Sequence, residues 1–304
     1  MSAELLSLNR CPICHAVGRR FLFPIPETRV YECAECSFRY LDPCLPPDGM
    51  SAVYASGESL TQLHAFHENY YDYGDLHDES RTKRDFTRAL EILENRLPPT
   101  ERKLLDIGYG NGFFLAVART RGWDVDGIDT SPQNRKLAKK KFALDLRVGT
   151  VNDLAAASCQ YNVIALWDVM EHLPDPHDMI NNLSRMLEPG GILLIAVPND
   201  HSFLRDLSCW LFAVSGGRIR TGVEKCYLLE HVGYYATDSL QKLVCPHGFT
   251  LGDHFFSSTD LAKYNFTLKE KIMAGFVLLL GRLFHRQNRL IAFFRHNTPG
   301  RRKP

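Results

Sequence analysis

The stretch "KLLDIGYGNGFFL", residues 103–115, decides the fold. A short apolar strand, 103–107, runs into Gly108, Gly110 and Gly112. An amphipathic segment follows, with Phe113, Phe114, Val117 and Ala118 on one face. Strand, glycine loop and helix in that order bring bare backbone and a helix N-terminus close to a ligand. A tight strand-to-helix turn that binds nothing gives the same pattern. The dinucleotide fingerprint requires G-x-G-x-x-G, but here the third glycine comes one residue early and Phe113 stands where that motif has glycine. The phosphate loop G-x-x-x-x-G-K-[ST] is also absent. Asp106, just before the loop, is a poor neighbour for pyrophosphate and suits an amine-bearing ligand better.

The next strand narrows the ligand. In "WDVDGIDTSPQN", Asp129 ends the strand 21 residues after Gly108. An acid at about that distance suits a ribose diol, and it also suits a helix cap. Thr130 or Ser131 can cap the following helix, with Pro132 in its first turn. Further along come "YNVIALWDVMEHLPDP", 161–176, and "LEPGGILLIAVPN", 187–199.

With these motifs in this order, the chain resembles the class I S-adenosylmethionine-dependent methyltransferases over roughly Leu104 to Phe256. The family's D-x-G-x-G-x-G loop is matched by Asp106, Gly108, Gly110 and Gly112, and its ribose-binding acid by Asp129. Its fourth strand and D-V-x-E-H-x-x-D-P continuation are matched by 161–176. Tyr109 departs from the pattern, because the family has a small residue there. The resemblance implies S-adenosylmethionine as cofactor. It places Asp106 by the loop and the amino acid moiety, and Asp168 by the methionine side or the acceptor. The alternation of strands and helices implies an α/β fold with a doubly wound, mostly parallel sheet, Rossmann-like and seven-stranded in this family.

Composition bounds the rest. The chain has 304 residues and a formal net charge of +1, so it carries no global basic field for nucleic acid. The opening "MSAELLSLNR" lacks the apolar centre of a signal peptide, and a cytoplasmic location is expected. Cys11-x2-Cys14 and Cys33-x2-Cys36 lie 18 residues apart, which fits two knuckles around one zinc. Four thiolates make a closed, structural site. Disulfides are the competing reading, without a secretion signal to support them. His15 and Cys44 are bystanders in this reading, and Cys159, Cys209, Cys226 and Cys245 are expected to be buried thiols.

The expected organisation is a zinc ribbon over 1–45, a linker and helical cap over 46–98, and the methyltransferase domain over 99–304. Within that domain 200–236 caps the acceptor pocket, and 268–287 is an apolar helix basic at both ends. The apolar core of that helix, 272–284, is too short to span a bilayer. It reads as a buried helix or as a membrane-surface or lipid-acceptor helix, with peripheral membrane contact. "YYDYG", 70–74, could add an aromatic lid.

The chemistry asks for collinear acceptor, methyl carbon and sulfur, and for a base if the acceptor must lose a proton. His172 and His201 follow the fourth and fifth strands, where such folds place ligands, His231 precedes the helix before the sixth strand, and His172 and His231 are the leading candidates. No two-histidine-plus-carboxylate cluster stands out in the sequence, so no catalytic metal is expected. The leading function is methyl transfer to a small-molecule or glycan acceptor, most readily a hydroxyl. RNA methylation, or transfer to a lipid or quinone-like acceptor, is the alternative. The ribbon resembles that of bacterial sugar methyltransferases, but this chain lacks the further domain of the longer ones, which disfavours sugar C-methylation.

Overall fold

The computed structural model describes residues 4–54, 74–77, 79–155, 159–261 and 266–297. The aromatic run 70–73 lies outside the described residues. Seven strands form the main sheet: β4 (Lys103–Ile107), β5 (Asp124–Asp129), β6 (Arg147–Val148), β7 (Tyr161–Trp167), β8 (Leu187–Pro198), β10 (Phe249–Ser257) and β11 (Arg289–His296). Their order is β10-β11-β8-β7-β4-β5-β6. Strands β4 to β8 pair in parallel, and β11 runs antiparallel to both neighbours. The order reverses direction at β4, so the carboxyl ends of β4 and β7 open onto the crevice where such sheets bind ligands.

The central strands read as continuous apolar runs because both faces are covered. From Ile192 to Val197 every residue of β8 is buried. One core, around Leu105, Ile164, Leu193 and Leu243, fills one face of the sheet. The other, around Phe86, Leu90, Phe114 and Leu194, fills the opposite face. Helix α2 (Arg81–Glu94) supplies Phe86, Ala89, Leu90 and Leu93 to the second core, and Ser80 caps it by accepting from Lys83 N–H. Strand β8 begins at Leu187, four residues earlier than the apolar run from 191 suggests. Pro189 and Gly190 sit in an irregularity of its pairing with β7, where Tyr161 meets Leu187 and Val163 meets Ile192.

A second sheet joins β1 (Arg19–Ile25), β2 (Thr28–Cys33), β3 (Arg39–Leu41) and β9 (Gly233–Tyr234). The first three belong to the cysteine-rich N-terminal segment. The fourth comes from the region between β8 and β10. The cap consists of α1 (Pro47–Tyr54), α7 (Phe203–Val214) and α8 (Thr221–Cys226), joined by α10 (Leu268–Leu283). Helix α10 has a capping box, Thr267 with Glu270, but only Gly281 on it is buried. The buried-helix reading of 268–287 is therefore not met: its apolar content is shared between a cavity wall and an exposed face.

Candidate active site

A cavity of about 1380 Å³ lies over the carboxyl ends of β4, β5 and β7. Its floor is the glycine loop. Gly108, Gly110 and Gly112 all have positive φ, at 70°, 57° and 81°, a region that costs L side chains roughly 1–2 kcal/mol. Space adds to strain. A Cβ on Gly108 would meet Val169 Cγ2 at 2.7 Å, and one on Gly112 would meet Ala138 Cβ at 2.9 Å. A Cβ on Gly110 would meet nothing within 4 Å, so that position is the one open toward the cavity. Gly112 is the N-cap of α3 (Phe113–Thr120), whose first residues Phe113 and Phe114 line the same cavity, with Phe113 N–H donating to Asn111 Oδ1 at 3.1 Å.

Asp129 holds the loop in place. Its Oδ2 accepts from Gly110 N–H at 2.9 Å and from Asn134 Nδ2 at 3.0 Å, and its Oδ1 accepts from Ser131 N–H at 2.8 Å. Burial pushes its carboxyl above the usual range, while these three donors pull it back. Ser131 caps α4 (Pro132–Phe142), so ribose-like positioning and helix capping meet at one residue pair. Asp106 is 1% exposed, and its Oδ1 has no hydrogen-bond partner among the described residues. Burial, reinforced by the nearby Asp129 charge, raises its pKa well above the ordinary carboxyl value. An orphaned acid of this kind is costly unless a cation meets it. It fits the ammonium of an amino acid moiety.

Tyr109 does not narrow the loop. Its ring packs in the core and its hydroxyl donates to the Arg147 carbonyl at 3.1 Å. Gly127 on β5 makes the room, since a Cβ there would strike the Tyr109 ring at 2.9 Å. The tyrosine and glycine compensate each other across the sheet, a pairing that the linear sequence does not display. The cavity continues past β6 along Gly149 to Asn152, residues that no sequence motif singled out.

The opposite end of the cavity holds the candidate bases. Asp168, at the end of β7, has φ 56° and pairs with Arg289 of β11 through contacts of 2.9–3.0 Å. Arg289 was not among the residues that the sequence singled out. His172 lies in a 3-10 turn, Met170–His172. Its Nδ1–H donates to the Glu230 carbonyl at 2.7 Å, which leaves Nε2 as the basic nitrogen. The Tyr54 hydroxyl sits 3.2 Å from Nε2. Burial lowers the His172 pKa below the ordinary value. His231 packs edge-on against His172 with ring centroids 5.0 Å apart. Glu171 is 1% exposed, and neither carboxylate oxygen finds a hydrogen bond among the described residues. Burial, then the Asp168 charge, raises its pKa well above the usual carboxyl value.

Glu171, His172 and His231 bring their ligand atoms within 4.8 Å of one another. The sequence expectation that no such cluster exists is thus corrected. The two histidines are 59 positions apart and meet only through the fold. His201 is exposed and does not line the cavity. Leu204, Leu207 and Leu211 of α7 and Met273, Ala274 and Val277 of α10 form an aliphatic wall.

Chemistry of a different kind surrounds the four cysteines. The pairs Cys11–Cys36 and Cys14–Cys33 have Sγ atoms 3.5 and 3.4 Å apart, and all four lie within 4.8 Å of one another. A tetrahedral zinc with bonds of about 2.3 Å would set its sulfurs about 3.8 Å apart. The two knuckles repeat one backbone. The residue after each second cysteine, His15 and Ser37, has φ near 60°, and its N–H donates to the carbonyl of the first cysteine at 3.0 Å. Burial pushes the Cys14 thiol up to about 11, and hydrogen bonding to Cys11 plus burial raises Cys36 further. The set therefore fits a metal that would take up thiolates. His177 donates from Nε2 to the Ile13 carbonyl of the first knuckle at 2.7 Å. Cys159, Cys209, Cys226 and Cys245 are half-buried rather than buried.

The methyltransferase-domain family profile matches residues 77–254, more than half of the chain. The chain belongs to this family. It is a class I S-adenosylmethionine-dependent methyltransferase. It is 29% identical over 133 residues to the ubiquinone biosynthesis O-methyltransferase of Xylella fastidiosa (strain 9a5c), covering 42% of this chain and 52% of the relative. It is 32% identical over 116 residues to the protein of the same name from Xanthomonas axonopodis pv. citri (strain 306), covering 36% and 48%. The chain spans about half the length of the curated relatives it matches. Among solved structures, the plantazolicin methyltransferase BamL, in complex with a triazolic desmethylPZN analog and SAH, superposes with a TM-score of 0.52 at 14% identity. That match covers 82% of this chain and 97% of BamL, and it shows the fold.

Proposed function

We propose that this methyltransferase acts on a hydroxyl of a largely apolar, quinone-like small molecule, with His172 as the proton acceptor. The observation that carries the proposal is the junction inside the cavity. A buried His172, with Nε2 as its basic nitrogen beside the Tyr54 hydroxyl that an acceptor hydroxyl would displace, lines the same cavity as the glycine loop and a wall of leucine, methionine and valine side chains. Bound S-adenosylmethionine supplies an activated methyl group. Asp106 would meet its ammonium, Asp129 its ribose diol, and Val151 and Asn152 would flank its base beyond β6.

The residues at the other end perform the remaining tasks. His172 takes the hydroxyl proton at Nε2 as the oxygen attacks, and the Glu230 carbonyl holds the resulting imidazolium through Nδ1–H. His231 fixes the ring from its edge. The aliphatic wall excludes water, which protects the reagent and strengthens local electrostatics. A glycan would leave its hydroxyls facing leucines without hydrogen-bond partners, which disfavours the glycan reading. The names of the curated relatives point to the same acceptor class. Four thiolates, from Cys11, Cys14, Cys33 and Cys36, hold one structural zinc in this reading.

The test is turnover of purified enzyme with methyl-labelled S-adenosylmethionine against a prenylated catechol, a nucleotide sugar and a structured RNA. Product mass should show one methyl on a catechol oxygen. Labelling of the sugar or the RNA instead would refute the acceptor assignment.

A further inference from the structure

Helix α10 has two apolar faces. Ala274, Val277 and Leu278 turn inward to line the cavity. Leu268, Ile272, Phe276, Leu279 and Leu283 turn outward and are 53–75% exposed. These five are spaced four, four, three and four residues apart. At 3.6 residues per turn they fall within about 80° of arc, so they form one stripe along the whole helix. An exposed stripe of this size needs a partner. Lys269 flanks it on one side, and Lys271 with Arg282 on the other, by the same helical spacing. None of the three has a carboxylate partner among the described residues. The acids nearby are engaged: Glu270 with Lys225 at 2.6 Å, and Asp206 with Arg286. The neighbouring α7, whose Phe203 stacks on Phe284 at 5.6 Å, exposes Trp210 and Val214. No helix among the described residues is long and apolar enough to cross a membrane.

We propose that α10 docks on the surface of an anionic lipid bilayer, with the stripe entering the acyl boundary and Lys269, Lys271 and Arg282 at the headgroups. An apolar stripe with unpaired cations on its borders is the pattern that an anionic interface selects. In an isologous pairing with a second copy, those cations would face one another, which disfavours a dimer at this face. The docking also has a consequence for access. The helix that would lie on lipid outside lines the proposed acceptor cavity inside through Ala274, Val277 and Leu278, so docking would bring that cavity beside the bilayer.

Vesicle co-sedimentation of the full chain tests the docking without any acceptor, so its outcome is independent of the acceptor assignment above. Phosphatidylcholine vesicles containing phosphatidylglycerol should capture the protein, and pure phosphatidylcholine should capture much less. Neutralising Lys269, Lys271 and Arg282 to glutamine should weaken capture by roughly fivefold per cation, about a hundredfold together. Phe276→Ser with Leu279→Ser should weaken it by at least about tenfold. Both variants alter exposed side chains outside the cavity, so S-adenosylmethionine affinity should stay at the wild-type value and report folding. Equal capture by neutral and anionic vesicles, or no capture, would overturn the proposal. So would a concentration-dependent dimer that dissociates in Phe276→Ser while vesicles capture nothing, because the stripe would then belong to a second copy.

Discussion

Replacing Asp129 with alanine should damage the protein twice, and the two losses can be measured apart. The carboxylate accepts from Gly110 N–H, Ser131 N–H and Asn134 Nδ2 at 2.8–3.0 Å. At 8% exposure, water can replace few of these contacts. Hydrogen bonds to a charged group contribute about 1.5–3 kcal/mol each, but the burial that raises its pKa offsets part of the sum. A net cost of about 2–4 kcal/mol is therefore expected. For 304 residues, about 2.1 cal/mol/K of unfolding entropy per residue converts this to a Tm drop of about 3–6 °C. If the carboxylate also accepts a ribose hydroxyl, loss of that contact should weaken S-adenosylmethionine by roughly ten- to a hundredfold. Asp129→Asn keeps one acceptor oxygen and turns an NH2 toward the other backbone donor, because Gly110 N–H and Ser131 N–H meet different oxygens, so it should recover only part of the Tm while still losing affinity. Differential scanning calorimetry and isothermal titration separate the two effects. Wild-type affinity in a destabilised Asp129→Ala protein would refute the ribose assignment and leave Asp129 as a loop strut.

Further outcomes are expected. His172→Ala should lower kcat by roughly 10²–10⁴-fold with little change in cofactor affinity, and His231→Ala should lower it less. Because burial lowers the His172 pKa, the acid limb of the wild-type pH–rate profile should lie below about 6.5, and a limb above that value would contradict the assignment. Glu171→Gln should flatten the dependence of Tm on pH. Its raised folded pKa means that the folded state binds more protons than the unfolded one, so stability falls as pH rises above the ordinary carboxyl range. An unchanged slope in calorimetry across that range would show that Glu171 has a charge partner. Metal analysis should find about one zinc per chain, and a metal-free preparation with undiminished stability would refute the cysteine site.

The elements carried by long periodic runs were legible, and contacts between distant elements were not. The glycine loop could be read because its positive-φ positions demand glycine, and strands β4, β7 and β8 because burial on both faces makes them uniformly apolar. Strand β9 could not be read: it has two residues, and its partner Tyr40 lies almost two hundred positions away. The same holds for Arg289 with Asp168, for Tyr109 with Gly127, and for the two histidines. The burial of helix α10 was left open for a different reason. A helix apolar all round is normally interior, and the sequence does not say which half of its surface the fold will cover.

The cysteine-rich N-terminal segment is joined to the candidate site through the second sheet. Strand β3 pairs with β9, joining Arg39 to Tyr234 and Tyr40 to Gly233, only two residues after His231. Beneath this junction Asp200 lies between Arg205 at 3.4 Å and Arg39 at 3.6 Å, all three mostly or wholly buried. Arg205 also lies over the Tyr227 and Tyr234 rings. The Lys242 ammonium donates to the Cys36 carbonyl at 3.1 Å, and His177 ties the other knuckle to α6 (Pro176–Met186). A metal that sets the knuckles therefore sets β3, β3 sets β9, and β9 sets the loop that holds Glu230 and His231 against His172. Removing zinc under native conditions should then lower kcat before it lowers S-adenosylmethionine affinity, because the glycine loop is tied by hydrogen bonds to Ile128 and Asp129 of β5. Parallel loss of both on chelation would mean that the two halves unfold as one unit and that the ribbon acts through stability alone.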